Sequence, residues 1–294
     1  QILLSDVPGQ RPVFPRSSPG KFHHASQAGR FTSANSAMIY SGELLGEEFV
    51  GNSFVSEPVH NLVHREIVER DGVTFKSHKP KDEEETEFLA SEDTWFRPTT
   101  IRTGPDGALW VADMYREIIE HPRWVSDDLK PIVNTRSGND RGRIYRIYAE
   151  GINARPIPRL DRLPTKKVAA LLESPSATLR DMAQIQIATR GMQDAIPLVT
   201  QIAERSERPE ARLQAMWTLH GMDSLTAELI RTAAESRHQE LRRGAIRLSA
   251  GYPKLATGSW LAYVGTKNGS SPAVAMQAAL TAGEIDDPFM GDRL

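Results

Sequence analysis

Asp93-Thr-Trp-Phe-Arg-Pro98, followed closely by Gly104-Pro-Asp-Gly-Ala-Leu-Trp-Val-Ala-Asp-Met-Tyr-Arg-Glu-Ile-Ile-Glu-His121, decides the fold of the first half of the chain. Gly-Pro-Asp-Gly lies between two apolar runs, Thr99–Arg102 and Ala108–Ala112. Proline presets φ, aspartate bonds its own backbone and glycine permits φ > 0, so a β-hairpin is predicted. An unusually polar segment leaves its second strand.

Other short runs flank this hairpin: Ser36–Tyr40, Phe49–Ser56, Asn61–Ile67, Thr86–Ala90 and Arg143–Tyr148. Each is bounded by Gly, Pro or charged turns, which predicts an antiparallel all-β region. An internal repeat runs through it. Gly51-Asn-Ser-Phe-Val-Ser-Glu57 matches Gly107-Ala-Leu-Trp-Val-Ala-Asp113, Asn61–Arg65 matches Arg143–Ile147, and Ser36–Tyr40 takes the place of Pro98–Arg102. The second copy carries an insertion over Tyr115–Arg141. A unit of about four short strands recurring at roughly fifty residues predicts β-propeller blades; a stacked sandwich is the alternative. In a four-stranded meander, the loop entering the first strand and the loop joining the second and third lie at the same end. Glu57–His60, Asp93–Arg97 and Asp113–Arg141 are therefore expected on one rim. Two blades close no ring, since propellers use about four or more. The expectation is a β-propeller fragment, its last two blades or so, with the remaining blades supplied upstream or by another chain.

Residues 1–33 are expected as loop, with Pro8, Pro12, Pro15 and Pro19 close together. His23-His24 lacks a third metal partner nearby. The first residues have neither an initiator Met nor a charged leader, so the start is expected to be processed or truncated. A net charge of −2 gives no electrostatic case for nucleic acid or an anionic membrane. No apolar run is long enough to span a bilayer. The absence of cysteine excludes disulfides, thiolate metal sites and covalent haem within these residues.

Composition changes after Tyr148. Residues 1–150 are expected as the blades, 151–164 as a proline-rich linker, and 165–294 as an all-α, HEAT-type solenoid. Ala183, Ala215, Ala245 and Ala278 recur at spacings of 32, 30 and 33, each within an apolar helical stripe. Arg180, Arg212 and Arg242 precede three of them and are expected to bond acids or carbonyls between repeats. Thr257–Gly265 has the weakest helical pattern.

The segments Glu57–Arg65, Asp93–Pro98, Gly104–Pro122 and Arg141–Arg146 resemble the large planctomycete-type membrane-bound dehydrogenase-like proteins. In that family a propeller similar to that of pyrroloquinoline-quinone (PQQ)-dependent sugar dehydrogenases precedes HEAT-like repeats, and commonly a c-type cytochrome domain. The resemblance spans about residues 26–150. It implies export to the periplasm or a related compartment, with PQQ and Ca²⁺ as cofactors and a cytochrome domain or partner as electron acceptor. A quinone site needs a general base, cations for the reduced ring and oxygen ligands for calcium. The rim offers His60 and His121 as bases, Arg97 and Arg116 as cations, Trp95 and Tyr115 for stacking, and Glu57 and Asp113 as metal ligands. Each has a structural reading beside the chemical one. The two acids can cap the turns that follow their strands. Arg97 can pair with an acid of a neighbouring blade. His60 and His64, about 13 Å apart along a strand, suit satisfied structural histidines better than a chelate. A non-catalytic module binding protein or glycan, and a hydrolase using a bound divalent ion, are the competing functions.

Overall fold

The computed structural model describes residues 12–18, 29–119, 121, 123, 125, 127–153, 155–266 and 271–285. It divides into two compact units, Gln1–Arg70 with Phe75–Pro156, and Asp71–Thr74 with Ile157–Leu294. His23-His24 and Trp124 lie outside the described residues.

The first unit is built from two antiparallel sheets. The first contains β1 (Asn35–Ile39), β2 (Ser53–Glu57) and β3 (Leu62–Asp71) in meander order, with β4 (Thr74–His78) and β5 (Leu89–Ala90) also paired to β3. The second is a three-stranded meander of β6 (Pro98–Thr103), β7 (Leu109–Asp113) and β8 (Arg143–Ile147). Along β7, Leu109, Val111 and Asp113 are buried while Trp110 and Ala112 are half-buried, the two-residue period of a strand with one face inward. Tyr40, Phe54, Val63, Phe96, Ile101, Leu109 and Val111 belong to one core shared by both sheets.

The hairpin forms as its turn chemistry requires. Gly104 N–H donates to Ala108 O at 2.8 Å, and Gly107 takes φ +91°. Asp106 accepts from Ala108 N–H and from the Trp110 indole, and the Arg146 guanidinium closes on its other oxygen. Gly42 passes so close to this turn that an added Cβ would stand 2.1 Å from Gly107 O.

The repeat holds at the level of strand order, with adjustments of register. Glu57 faces Leu62 and Asp113 faces Arg143 across their pairs, so the third strands align one residue away from the match of Asn61 with Arg143. Bulges in β1 and β6 displace the first strands as well. Phe49–Ser56 is not one strand: Gly51 takes φ +83°, and β2 begins only at Ser53. Of Thr86–Ala90, Leu89 and Ala90 alone are strand.

The second unit has eight α-helices among its described residues: α1 (Thr165–Ala170), α2 (Ala177–Thr189), α3 (Ile196–Arg205), α4 (Pro209–Gly221), α5 (Ala227–Ala234), α6 (Gln239–Leu248), α7 (Gly258–Thr266) and α8 (Pro272–Gly283). Each even-numbered helix from α4 onward packs on the helix before it, and α2, α4, α6 and α8 pack on one another in succession. Ala183, Ala215, Ala245 and Ala278 are buried along this line, where small side chains let helix axes approach. Pro209 and Pro272 open their helices, and Ser176, after Pro175, caps α2 by accepting from Leu179 N–H. The arginine column bonds carbonyls: Arg180 to Ser174 O, Arg212 to Ala203 O and Arg242 to Val264 O. Two of these acceptors lie in the last turns of α3 and α7, where a cation suits the helix dipole. No described helix is long and apolar enough to cross a membrane.

Candidate functional site

Three loops meet at one end of the two sheets: Glu57–Asn61 between β2 and β3, Asp93–Arg97 entering β6, and Asp113–Glu117 leaving β7. Two side chains join them. Asn61, in a left-handed conformation that asparagine tolerates, donates its amide to Thr94 O at 3.1 Å and to Phe96 O. Arg97, buried, spreads its guanidinium over carbonyls: Pro58 O at 2.8 Å, Arg116 O at 3.0 Å and Glu117 O at 2.8 Å.

The acids are engaged as fully. Asp113 Oδ1 accepts from the N–H groups of Arg97 and Tyr115, both at 2.8 Å, and Oδ2 accepts from Arg143 Nε and Nη2 at 3.0 and 2.8 Å. Glu57 accepts from the N–H and hydroxyl of both Thr32 and Ser33. His60 Nδ1 stands 3.6 Å from Glu57 Oε1. Burial pushes the Glu57 carboxyl up, but His60, Ser33 and Thr32 together hold it below the ordinary glutamate value.

Around this scaffold lies a part-exposed ring cluster. Trp95 and Tyr115 sit with centroids 5.6 Å apart, tilted by 49°, and the Arg143 guanidinium lies 3.9 Å over the Tyr115 ring. Asp93 adds a carboxylate 3.7 Å from Arg143. Tyr115 is held at φ +51°, a region costly for a bulky residue. Gly138 makes this possible: its own φ is +89°, and a Cβ there would stand 2.3 Å from Tyr115 O.

The side chains of the remaining candidates turn to other partners. Arg116 donates to Met114 O and Tyr115 O, and exposed His121 accepts from Arg123 N–H. Among the described residues no bond links His121 to Glu57, Arg97 or Asp113. The insertion carries the exposed pairs Lys130–Asp127 and Arg141–Asp140. Arg143 and Asn61 are matched positions of the repeat in the sequence but not site candidates there. Arg143 opens the strand opposite Asp113, and an asparagine closing a tight loop is itself a left-handed turn signal.

An antiparallel two-sheet unit followed by a helical unit, with three loops interlocked at one end of the sheets, defines the class of this protein. The chain belongs to the family described as a domain of unknown function, DUF7133, whose model matches residues 3–151. No curated protein and no solved structure matches it.

The donor sets test the cofactors that the resemblance implies. A calcium ligand needs oxygen lone pairs directed at the ion, whereas those of Glu57 and Asp113 receive N–H, hydroxyl and guanidinium donors. Arg97 and Arg116 aim their donors at carbonyls. These four residues fit neither a Ca²⁺ site nor a cradle for a reduced quinone. Among the described residues, no three His, Asp or Glu side chains are placed to hold a metal ion.

Proposed function

We propose that the chain is a binding module: two propeller-type blades, whose rim recognises a saccharide, followed by a HEAT-type solenoid. The blade assignment is supported by the repeated strand order, by equivalent acids at the ends of β2 and β7, and by the adjacency of β1 and β6, where Ile101 N–H donates to Ser36 Oγ at 2.7 Å. Consecutive packing of the even-numbered helices supports the solenoid. Completion of the ring by further blades and export belong to the same reading, whereas a cytochrome partner belongs to the oxidoreductase reading below.

The observation that carries the function is the Trp95–Tyr115–Arg143 cluster. Its rings are part-exposed and held by a costly backbone conformation, while the acids and Arg97 beneath them build the loops. Aromatic faces stack on the C–H face of a sugar ring, and a neighbouring guanidinium and carboxylate supply hydroxyl contacts. Titration with a panel of neutral oligosaccharides, followed by tryptophan fluorescence, is expected to give saturable binding that Trp95→Ala and Tyr115→Ala abolish. Absence of binding across the panel, or unchanged binding in both variants, contradicts the proposal.

The oxidoreductase implied by the resemblance keeps one observation in its favour, the buried His60 beside Glu57. In the same experiment, protein incubated with PQQ and Ca²⁺ is expected to show no dye-linked sugar oxidation. Turnover that His60→Gln removes favours the oxidoreductase instead.

A further inference from the structure

His64 lies on β3, away from the rim cluster, with 1% of its side chain exposed. Both ring nitrogens face carboxylates: Nδ1 is 2.7 Å from Glu87 Oε2, and Nε2 is 3.3 Å from Glu66 Oε1. A neutral imidazole has one N–H, so its other nitrogen would set a lone pair against a carboxylate oxygen. With both carboxyls ionised, only the imidazolium satisfies both contacts. Among the described residues Lys79 brings a further charge, its Nζ 3.4 Å from Glu87 Oε1; the Ser77 hydroxyl donates to Glu66, and the Phe31 ring packs edge-on against the imidazole at 5.0 Å.

The same Glu87 holds a strap. Phe14 N–H donates to Glu87 Oε1 at 3.1 Å, and Lys79 lies 4.8 Å from the centroid of the Phe14 ring. Further along, Arg16 pairs with Glu92, and the Ser17 hydroxyl donates to Asn61. Val13–Arg16 and Glu85–Ala90 together line a cleft of about 690 Å³. Because Phe14 and His64 share one carboxylate, the imidazole's charge acts on the strap's attachment.

We propose that the strap around Phe14 is a proton-controlled latch, seated on the first sheet while His64 is an imidazolium and loosened when it becomes neutral. Loss of the proton sets the lone pair of one ring nitrogen against a buried carboxylate oxygen, and movement of Glu87 toward water relieves this by releasing Phe14. Burial lowers the His64 pKa, but the bonds to Glu66 and Glu87 outweigh it and place it above the ordinary value. A raised folded-state pKa makes the contribution to stability complete below the unfolded histidine value and lost as pH rises through the folded one. Opening is therefore an alkaline-side event.

Hydrogen–deuterium exchange of the peptide spanning Phe14, corrected for intrinsic rates, tests this from about pH 5 to about pH 9. Protection is expected to fall by about tenfold or more across the titration of His64. Glu66→Gln, which removes one of the facing carboxylates, is expected to retain protection at the alkaline end. Glu92→Gln, which alters only the Arg16 pair, is expected to keep the wild-type profile shape. A flat wild-type profile, or a Glu66→Gln profile that falls as the wild type does, overturns the latch.

Discussion

Glu57 shows how much structure a single carboxylate organises. At the end of β2 it gathers donors from Thr32 and Ser33, with His60 Nδ1 3.6 Å away, and at the end of β7 Asp113 gathers donors from Arg97, Tyr115 and Arg143. The repeat makes the two acids equivalent, but their donors come from different loops. The folded-state pKa of Glu57 is depressed, so its contribution is present above the unfolded glutamate value near 4.5 and is lost as pH falls through the lower folded value. In urea denaturation followed against pH, Glu57→Gln is expected to lower stability at neutral pH by on the order of 2 kcal/mol. It should also flatten the acid limb. An unchanged acid limb would mean that the carboxylate's charge contributes nothing.

At the scale of elements, the contact between Tyr115 and Gly138 connects the insertion to the ring cluster. Gly138→Ala must accommodate both a left-handed φ and a Cβ at 2.3 Å from Tyr115 O. A cost of about 1–3 kcal/mol in thermal unfolding is expected, together with weaker saccharide binding as Tyr115 shifts; wild-type values for both would dissociate the insertion from the cluster. The β6–β7 hairpin was legible because Gly-Pro-Asp-Gly leaves the backbone few choices. Strand β4 was missed because Thr74–His78 is largely exposed and polar, without an apolar run, although Asp71-Gly72 before it is hairpin turn chemistry. Register was legible only within a residue or two, since bulges in β1 and β6 depend on packing that no local pattern records. The candidate residues were found by type and place, but not by role: no sequence signal showed that Arg97 would serve carbonyls or that Arg143 would lie over Tyr115.

Across the whole molecule, two periodicities mark two units. A roughly fifty-residue strand repeat gives the sheets, and a spacing of 30 to 33 residues between buried alanines gives the helices. Charged groups build the loops at this end of the sheets, and the aromatic groups beside them are the proposed saccharide contacts. Thermal stability and oligosaccharide affinity, measured together on Arg97→Ala and Trp95→Ala, separate those roles most directly. Arg97→Ala strands several buried carbonyls and is expected to lose on the order of 3 kcal/mol of stability while its folded fraction keeps near-wild-type affinity. Trp95→Ala is expected to keep its melting temperature within a few degrees and to lose binding. The opposite pattern, with binding lost in stable Arg97→Ala and retained in Trp95→Ala, would contradict the account.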